Sequence, residues 1–253
     1  MSATPTIALV TGGSRGLGRN TVLALAERGV RSIFTYHSNT EAADEVVAAT
    51  REAGAEGIAL QLDTSDTASF SDFADRVQAA LADLGAERIN ALVNNAGTGH
   101  YATFAETTES ALDDMYRVHV KGPFLLTQTL LPLLADGGRI VNLSSGLARF
   151  TFPGYAAYAS MKGAVEVLTR YQAKELAEHG ITVNTVAPGA IETDFGGGAV
   201  RDVPEVNAQI AGVTALGRAG LPDDIGPMIA SLLSDANGWV TGQRIEVSGG
   251  MML

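Results

Sequence analysis

The sequence predicts an α/β fold: one domain built on a doubly wound parallel sheet of seven strands, with helices on both faces. Three observations carry this expectation. A chain of 253 residues suits a single α/β domain with a full core. Short apolar runs alternate with helical patterns from end to end. The first apolar run ends in a glycine-rich turn that opens directly into a helix.

Ile7-Ala8-Leu9-Val10 is the first strand, and Thr11-Gly12-Gly13-Ser14-Arg15-Gly16-Leu17-Gly18 is the turn. A helical pattern through Val22, Leu25 and Ala26 follows and stops at Gly29. Glycines let a backbone approach a pyrophosphate closely, and a helix N-terminus offers free N–H groups and a positive dipole end. Gly12, Ser14, Arg15, Gly16, Leu17 and Gly18 are therefore candidate nucleotide contacts. The spacing, G-x3-G-x-G, differs from the general G-x-G-x-x-G fingerprint. A glycine turn without a ligand is the alternative.

The second strand, Ser32 to Tyr36, leads through His37-Ser38-Asn39 to a helix from Thr40, its expected N-cap, to Ala53. An acid at this strand end would hydrogen-bond a ribose 2′-OH and indicate NAD. Tyr36 stands there instead, with Arg15, His37 and Ser38 available to a 2′-phosphate, so NADP(H) is expected over NAD(H). The third strand, Ile58 to Leu62, ends in Asp63-Thr64. Asp63 is either an acceptor for an adenine amino group or a cap for the helix near Asp66. That helix, about Thr67 to Leu84, precedes the strand Ala91-Leu92-Val93, which runs into Asn94-Asn95-Ala96-Gly97. Small and amide residues at a strand end suit the lining of a cofactor cleft.

A long helical region, roughly Thr107 to Leu134, contains Pro123 and Pro132 and is expected to kink or split. Leu112, Met115, Val118, Phe124 and Leu125 form its apolar face, read as core or subunit contact. The fifth strand, Gly138 to Ser145, ends in two hydroxyls; the loop from Gly146 to Ala157 then carries Leu147, Phe150, Phe152 and Tyr155. A helix bearing Tyr158 ends at Gly180 as a C-cap. The sixth strand, Ile181 to Val186, leads to Pro188-Gly189-Ala190-Ile191-Glu192-Thr193. Residues 194–215 are glycine-rich, then weakly helical, and are expected to form a mobile substrate lid. A short helix near Pro222 to Leu233 and a strand from Gln243 to Val247 complete the pattern.

Composition narrows the function. A formal charge of −11 with no basic cluster counts against nucleic acid and against an acidic carrier protein. The absence of cysteine excludes disulfides and thiolate chemistry and fits a reducing, cytoplasmic setting. Four scattered histidines offer no metal-ligand spacing, so no metal is expected. No apolar run is long enough to span a membrane, and Met1 to Thr6 leaves no room for a secretory leader.

Tyr158-Ala159-Ser160-Met161-Lys162 carries the chemistry. A phenol and an ammonium four residues apart share one helix face. A Lys⁺ beside the hydroxyl stabilises the phenolate and, if burial is modest, is expected to draw the tyrosine from about 10 toward neutrality, the range of a useful acid/base. Ser145, thirteen residues earlier, is close enough in chain to face Tyr158 across the loop.

In order and spacing, Thr11-Gly12…Gly16…Gly18, Asp63, Asn94-Asn95-Ala96-Gly97, Ser145, Tyr158…Lys162, Pro188-Gly189…Thr193 and Val240-Thr241-Gly242 resemble the short-chain dehydrogenase/reductase family over essentially the whole chain, in its branch similar to 3-oxoacyl carrier-protein reductases. The resemblance implies a Rossmann fold, a nicotinamide cofactor and a homotetramer. It assigns Tyr158 as proton donor or acceptor, Lys162 as the residue that tunes it and holds the nicotinamide ribose, and Ser145 as a hydrogen-bond partner of the reacting carbonyl. It carries Asp63, Thr64, Asn95, Ala96, Gly97, Pro188, Gly189, Ile191 and Thr193 over as cofactor contacts beside Tyr36, His37 and Ser38. The family's fourth catalytic residue, an asparagine supporting a water-linked relay to the lysine, aligns with His119, for which three outcomes stand open: holding the same water, moving the proton itself, or impairing the relay.

Enoyl reductases of this fold space Tyr and Lys farther apart, and dehalogenase relatives replace the Lys. The reductases of 3-oxoacyl carrier protein dock an acidic carrier through Arg at two places, which here are Asp136 and His179. A small free ketone or secondary alcohol is therefore the expected substrate, apolar or aromatic given Tyr101, Phe104, Leu147, Phe152, Tyr155 and Phe195. Carrier-linked 3-oxoacyl reduction is the alternative, and a non-catalytic nucleotide sensor the remote one.

Overall fold

Seven parallel strands in the order β3-β2-β1-β4-β5-β6-β7 form one sheet: β1 Ile7–Val10, β2 Arg31–Tyr36, β3 Gly57–Gln61, β4 Ile89–Asn94, β5 Leu134–Leu143, β6 Thr182–Pro188 and β7 Arg244–Val247. The computed structural model describes residues 6–253. Residues 1–5, on which the expectation of a leaderless start rests, lie outside them. Strand order reverses between β1 and β4, and in open sheets the crevice beyond the carboxyl ends of such strands receives the ligand. No helix among the described residues is long and apolar enough to cross a membrane.

Successive side chains on a strand point to opposite faces, so a doubly covered sheet needs two cores. Ile7 and Leu9 of β1 pack with Phe73, Val77 and Leu126 on one face, while Ala8 and Val10 pack with Val22, Leu25 and Ile229 on the other. The first core is closed by α3 Phe70–Asp83 and α5 Gly122–Leu130, the second by α1 Gly16–Ala26, α2 Thr40–Glu52 and α9 Gly226–Leu232.

Several boundaries differ from the sequence reading for local reasons. Asn39, not Thr40, caps α2, its side chain accepting from the Ala42 N–H. The long helical region is split, as its prolines led one to expect. It runs as α4 Glu109–Tyr116, a π-helical turn Arg117–Lys121 and α5, with Pro123 two residues after the π-helical turn. Pro132 falls in a terminal 3₁₀ turn. Met115 is buried, but Leu112 and Phe124 are exposed, so the expected core face is only partly internal. The helix α6 Ala156–Glu175 passes through a 3₁₀ turn to Gly180, whose φ of 66° is the left-handed cap expected there. Residues 194–215 are more ordered than their composition suggests: a 3₁₀ turn Phe195–Gly198, then α7 Ala199–Asp202 and α8 Pro204–Gly212. Arg201 bonds both Asp194 at 2.5 Å and Asp202 at 2.7 Å, clasping this segment to itself.

Candidate active site

The crevice is built first from backbone. Gly12 and Gly16 both have positive φ, and a Cβ on Gly18 would lie 2.1 Å from the Gly12 carbonyl oxygen, so only glycine lets α1 start this close to β1. Arg15, extended at the N-cap, makes no side-chain capping bond, and α1 has no acid in its first turn. This end of α1, with its backbone donors and dipole, suits an anionic pyrophosphate. Asn95 donates from Nδ2 to the carbonyls of Thr11 at 2.8 Å and Gly12 at 3.2 Å, and Thr11 Oγ1 accepts from the backbone of Asn95 and Ala96. Asn95 thus staples the glycine turn to the end of β4, spending the amide donors expected to line the cleft. Ser14 and Leu17 lie half-buried in the same turn. Thr193, at the end of the run from Pro188 through Gly189 and Ile191, stands beside Gly16.

At the end of β2, Tyr36 is half-buried while His37, Ser38 and Arg15 are exposed. No acid occupies this strand end. Asp63 accepts from the Ser65 N–H at 2.8 Å and its hydroxyl at 2.7 Å, and lies 3.7 Å from His37. Burial works against its ionisation, but Ser65 and His37 outweigh it and hold the carboxyl below its ordinary pKa. Asp66, not Asp63, caps the following turn. The carbonyl of Thr64 packs against Gly122, leaving no space there for a Cβ.

Ser145, Tyr158 and Lys162 meet where β5 ends and α6 begins. Tyr158 and Lys162 are 7% and 6% exposed. The Lys162 ammonium donates to the Leu143 carbonyl at 2.8 Å and lies 5.5 Å from the Tyr158 ring centre. Ser145 stands close enough to the Tyr158 hydroxyl to favour its phenolate. The expected lowering of Tyr158 is nevertheless reversed in this chain. Burial pushes the phenol above its ordinary pKa, outweighing Ser145, and the same burial pulls the Lys162 ammonium down to about 7. A lysine this poorly solvated holds its charge weakly and points it at a carbonyl, so the opposite-charge effect inferred from the four-residue spacing does not win.

His119 sits on the π-helical turn, 1% exposed, its ring edge-on to Tyr158 at 5.2 Å. Nε2 is 2.8 Å from the Thr98 carbonyl. A carbonyl only accepts, so Nε2 carries the proton and Nδ1 is an acceptor. Nδ1 and Asn94 Oδ1 are buried without a hydrogen-bond partner, and both residues wall a cavity of about 10 Å³ shared with Lys162, the size of one water. Burial, with Lys162 beside it, lowers His119 to about 3 despite the Thr98 bond. Gly97 makes room for the ring: a Cβ there would lie 2.7 Å from His119 Cε1.

The expected substrate residues divide. Phe195 lies over Tyr158 at 5.6 Å, Leu147 packs in the same cluster, and Tyr101 meets Tyr155 edge-on at 5.3 Å. Phe152 instead pairs with the buried Phe150, and Phe104 is 88% exposed.

A family model described as "Enoyl-(Acyl carrier protein) reductase" matches residues 12–252. The chain belongs to the short-chain dehydrogenase/reductase family. It is 35% identical to a tetrahydroxynaphthalene reductase, PfmaG, of Pestalotiopsis fici, over 96% of this chain and 90% of that protein. It is 36% identical to a 3-oxoacyl-[acyl-carrier-protein] reductase of Synechocystis, over 99% and 98%. The solved structure of LugOII, described as a promiscuous reductase catalysing keto-reduction at C1 during lugdunomycin biosynthesis, superposes with a TM-score of 0.94 at 38% identity, covering 100% of both chains. This short-chain dehydrogenase/reductase is therefore an oxidoreductase that binds a nicotinamide cofactor in a Rossmann fold.

Sequence reading missed the buried polar ladder behind the site. Asn94 donates to Thr127 at 3.0 Å and Asn142 at 2.8 Å, Asn142 to Thr169 and Gln172 at 2.9 Å each, and Thr185 to Thr169 at 2.7 Å, tying β4, β5 and β6 to α6. An asparagine in the middle of an apolar strand, as in Ile140-Val141-Asn142-Leu143, was the available signal.

The His119 environment has a measurable consequence. With a folded pKa near 3 and an unfolded value near 6.5, the unfolded chain binds the extra proton between those limits. Stability from the neutral ring is complete above pH 6.5 and falls as pH drops toward 3, by up to about 1.4 kcal/mol per unit. Urea unfolding from pH 4 to 7 should show this slope, and His119→Asn should flatten it by that amount. Equal slopes in both proteins would mean the imidazole is protonated in the fold.

Proposed function

We propose that the protein is an NADP(H)-dependent reductase of small apolar or aromatic ketones, reversible to the secondary alcohol. The observation that carries this is the convergence of Ser145, Tyr158 and Lys162 at the switch-point crevice, behind the glycine cradle and beneath Phe195. Gly12 to Gly18 would hold the pyrophosphate, Arg15, His37 and Ser38 the 2′-phosphate, and Lys162 the nicotinamide ribose. When bound, NADPH supplies the hydride that reduces the carbonyl carbon. The Tyr158 hydroxyl delivers the proton to the carbonyl oxygen, which Ser145 Oγ holds by a hydrogen bond. High Tyr158 pKa in the free chain suits a donor that stays protonated until a developing alkoxide meets it. Residues 194–215 act as the lid, with Phe195 excluding water from that oxygen.

The Synechocystis relative supports a second reading, reduction of a carrier-linked 3-oxoacyl group. Asp136 and His179 count against it. They lie 3.2 Å apart on an acidic chain and offer no arginine to a carrier. On the family resemblance and on the exposed Leu112, Phe124 and Tyr171, we propose a homotetramer, and the cysteine-free composition fits a reducing, cytoplasmic setting for it.

The deciding experiment titrates purified protein with NADPH and NADH and follows turnover on aryl ketones, diketones and acetoacetyl thioesters. At least tenfold preference for NADPH, with aryl ketones reduced fastest, is expected. NADH preference would overturn the reading of Arg15, His37 and Ser38, and thioester preference would favour the second reading.

A further inference from the structure

Behind Ser145 and Lys162 runs a chain of charges that the proposed chemistry does not use. Arg244 and Glu246 are two residues apart on β7 and so share one face. Arg244 donates from Nε to Glu166 at 2.7 Å, from Nη1 to Glu246 at 2.9 Å and from Nη2 to the Ser145 carbonyl at 3.4 Å. Glu166 also accepts from Ser144 Oγ at 2.7 Å, and that hydroxyl lies 3.3 Å from the Lys162 carbonyl. Glu246 in turn takes two bonds from Arg149, at 2.6 and 2.7 Å, and one from Ser248. The side chains of Glu166 and Arg244 are only 15% and 23% exposed, enough burial to lift such a pair above the small worth of an exposed one.

Two features of this chain bear on the site. Glu166 lies one helical turn after Lys162 on α6, so one carboxylate links the strand end that carries Ser145 to the helix that carries Lys162. The four charges, Arg149, Glu246, Arg244 and Glu166, sum to zero. Deleting any one leaves a net unit of charge in the cluster that is anchored one helical turn from a buried ammonium, which itself pairs with a carbonyl, not a carboxylate.

We propose that Arg244 is a positioning residue for the reductase: it fixes Glu166, which sets the spacing between Ser145 and Lys162, and it masks the Glu166 carboxylate from Lys162. The inference rests on the proposed function only in assigning Ser145 and Lys162 to the chemistry. The groups facing Lys162 are Tyr158 on its own helix, His119 from the π-helical turn and the Leu143 carbonyl of β5; Glu166 lies one turn along α6, held by Ser144 and Arg244, with Arg149 and Glu246 behind Arg244.

The chain has three lysines, Lys121, Lys162 and Lys174. In protein carrying ¹³C at lysine Cε, Lys162 is therefore one of three NMR signals, assignable with Lys162→Met, and its titration can be followed without substrate or cofactor. Arg244→Met exposes Lys162 to an unmasked carboxylate and should move its titration up by about half a pH unit; Glu166→Gln leaves Arg244 unmatched and should move it down by about as much. The double variant is neutral again and should return to the wild-type midpoint. In turnover assays Arg244→Met should lower kcat about tenfold with the KM for NADPH kept within about twofold, the signature of misplaced groups. Single variants that shift Lys162 in the same direction, or not at all, would reduce Arg244 to a packing role. Wild-type protein without ketone turnover would instead remove the proposed function and leave the titration result standing.

Discussion

Replacing Tyr158 with phenylalanine is expected to lower kcat by about 10²- to 10⁴-fold on every ketone, the range in which a positioned proton donor contributes. NADPH affinity, read by fluorescence titration, should change by no more than about twofold. The variant removes one oxygen and keeps the ring, and the ring makes the contacts that shape the site: edge-on to His119 at 5.2 Å and tilted against Phe195 at 5.6 Å. Thermal stability should therefore hold or rise slightly, since the lost hydroxyl was buried. A variant retaining more than a tenth of wild-type turnover would show that the proton comes from elsewhere, with Ser145 the first residue to examine.

Gly18→Ala is expected to cost at least about 3 kcal/mol of stability, or the folded protein altogether. The added methyl would lie 2.1 Å from the Gly12 carbonyl oxygen and 2.5 Å from Asn95 Nδ2. Both belong to rigid parts, a backbone turn and a side chain already committed to that turn, so neither can yield without opening the cradle. Any Gly18→Ala protein that folds should have lost most of its NADPH affinity. Gly163→Ala is the matching control. Gly163 lies inside α6 with nothing within 4 Å of the added methyl, so the change should stabilise by about 0.5–1 kcal/mol through helix propensity alone. Urea unfolding of the two variants separates steric from conformational effects; equal destabilisation would refute the steric account of the turn.

Features set by neighbours in sequence were legible without a structure. The glycine turn, the strand ends and the Tyr158 to Lys162 spacing are local patterns, and the sheet order places them together as the resemblance implied. What depends on distant partners was not legible. The modest burial on which a lowered Tyr158 depended is not met, because the ring is covered by Phe195 and His119, 37 and 39 residues away in sequence, and a four-residue spacing carries no information about solvent. Arg244 and Glu166 are 78 residues apart, so nothing in either segment announces the pair. The asparagine cap at position 39 was displaced by one residue because Thr40 and Asn39 are both good caps and only backbone geometry chooses between them.

The fit between Gly97 and His119 ties two distant positions to one another. An alanine at 97 would press its methyl to 2.7 Å from the imidazole, so the histidine can reside at 119 only while position 97 stays bare. A lineage that first acquired a side chain at 97 would find histidine at 119 barred, and one that holds histidine must exchange it before 97 can change. Two positions 22 residues apart in sequence are thereby coupled, so a side chain at one excludes histidine at the other.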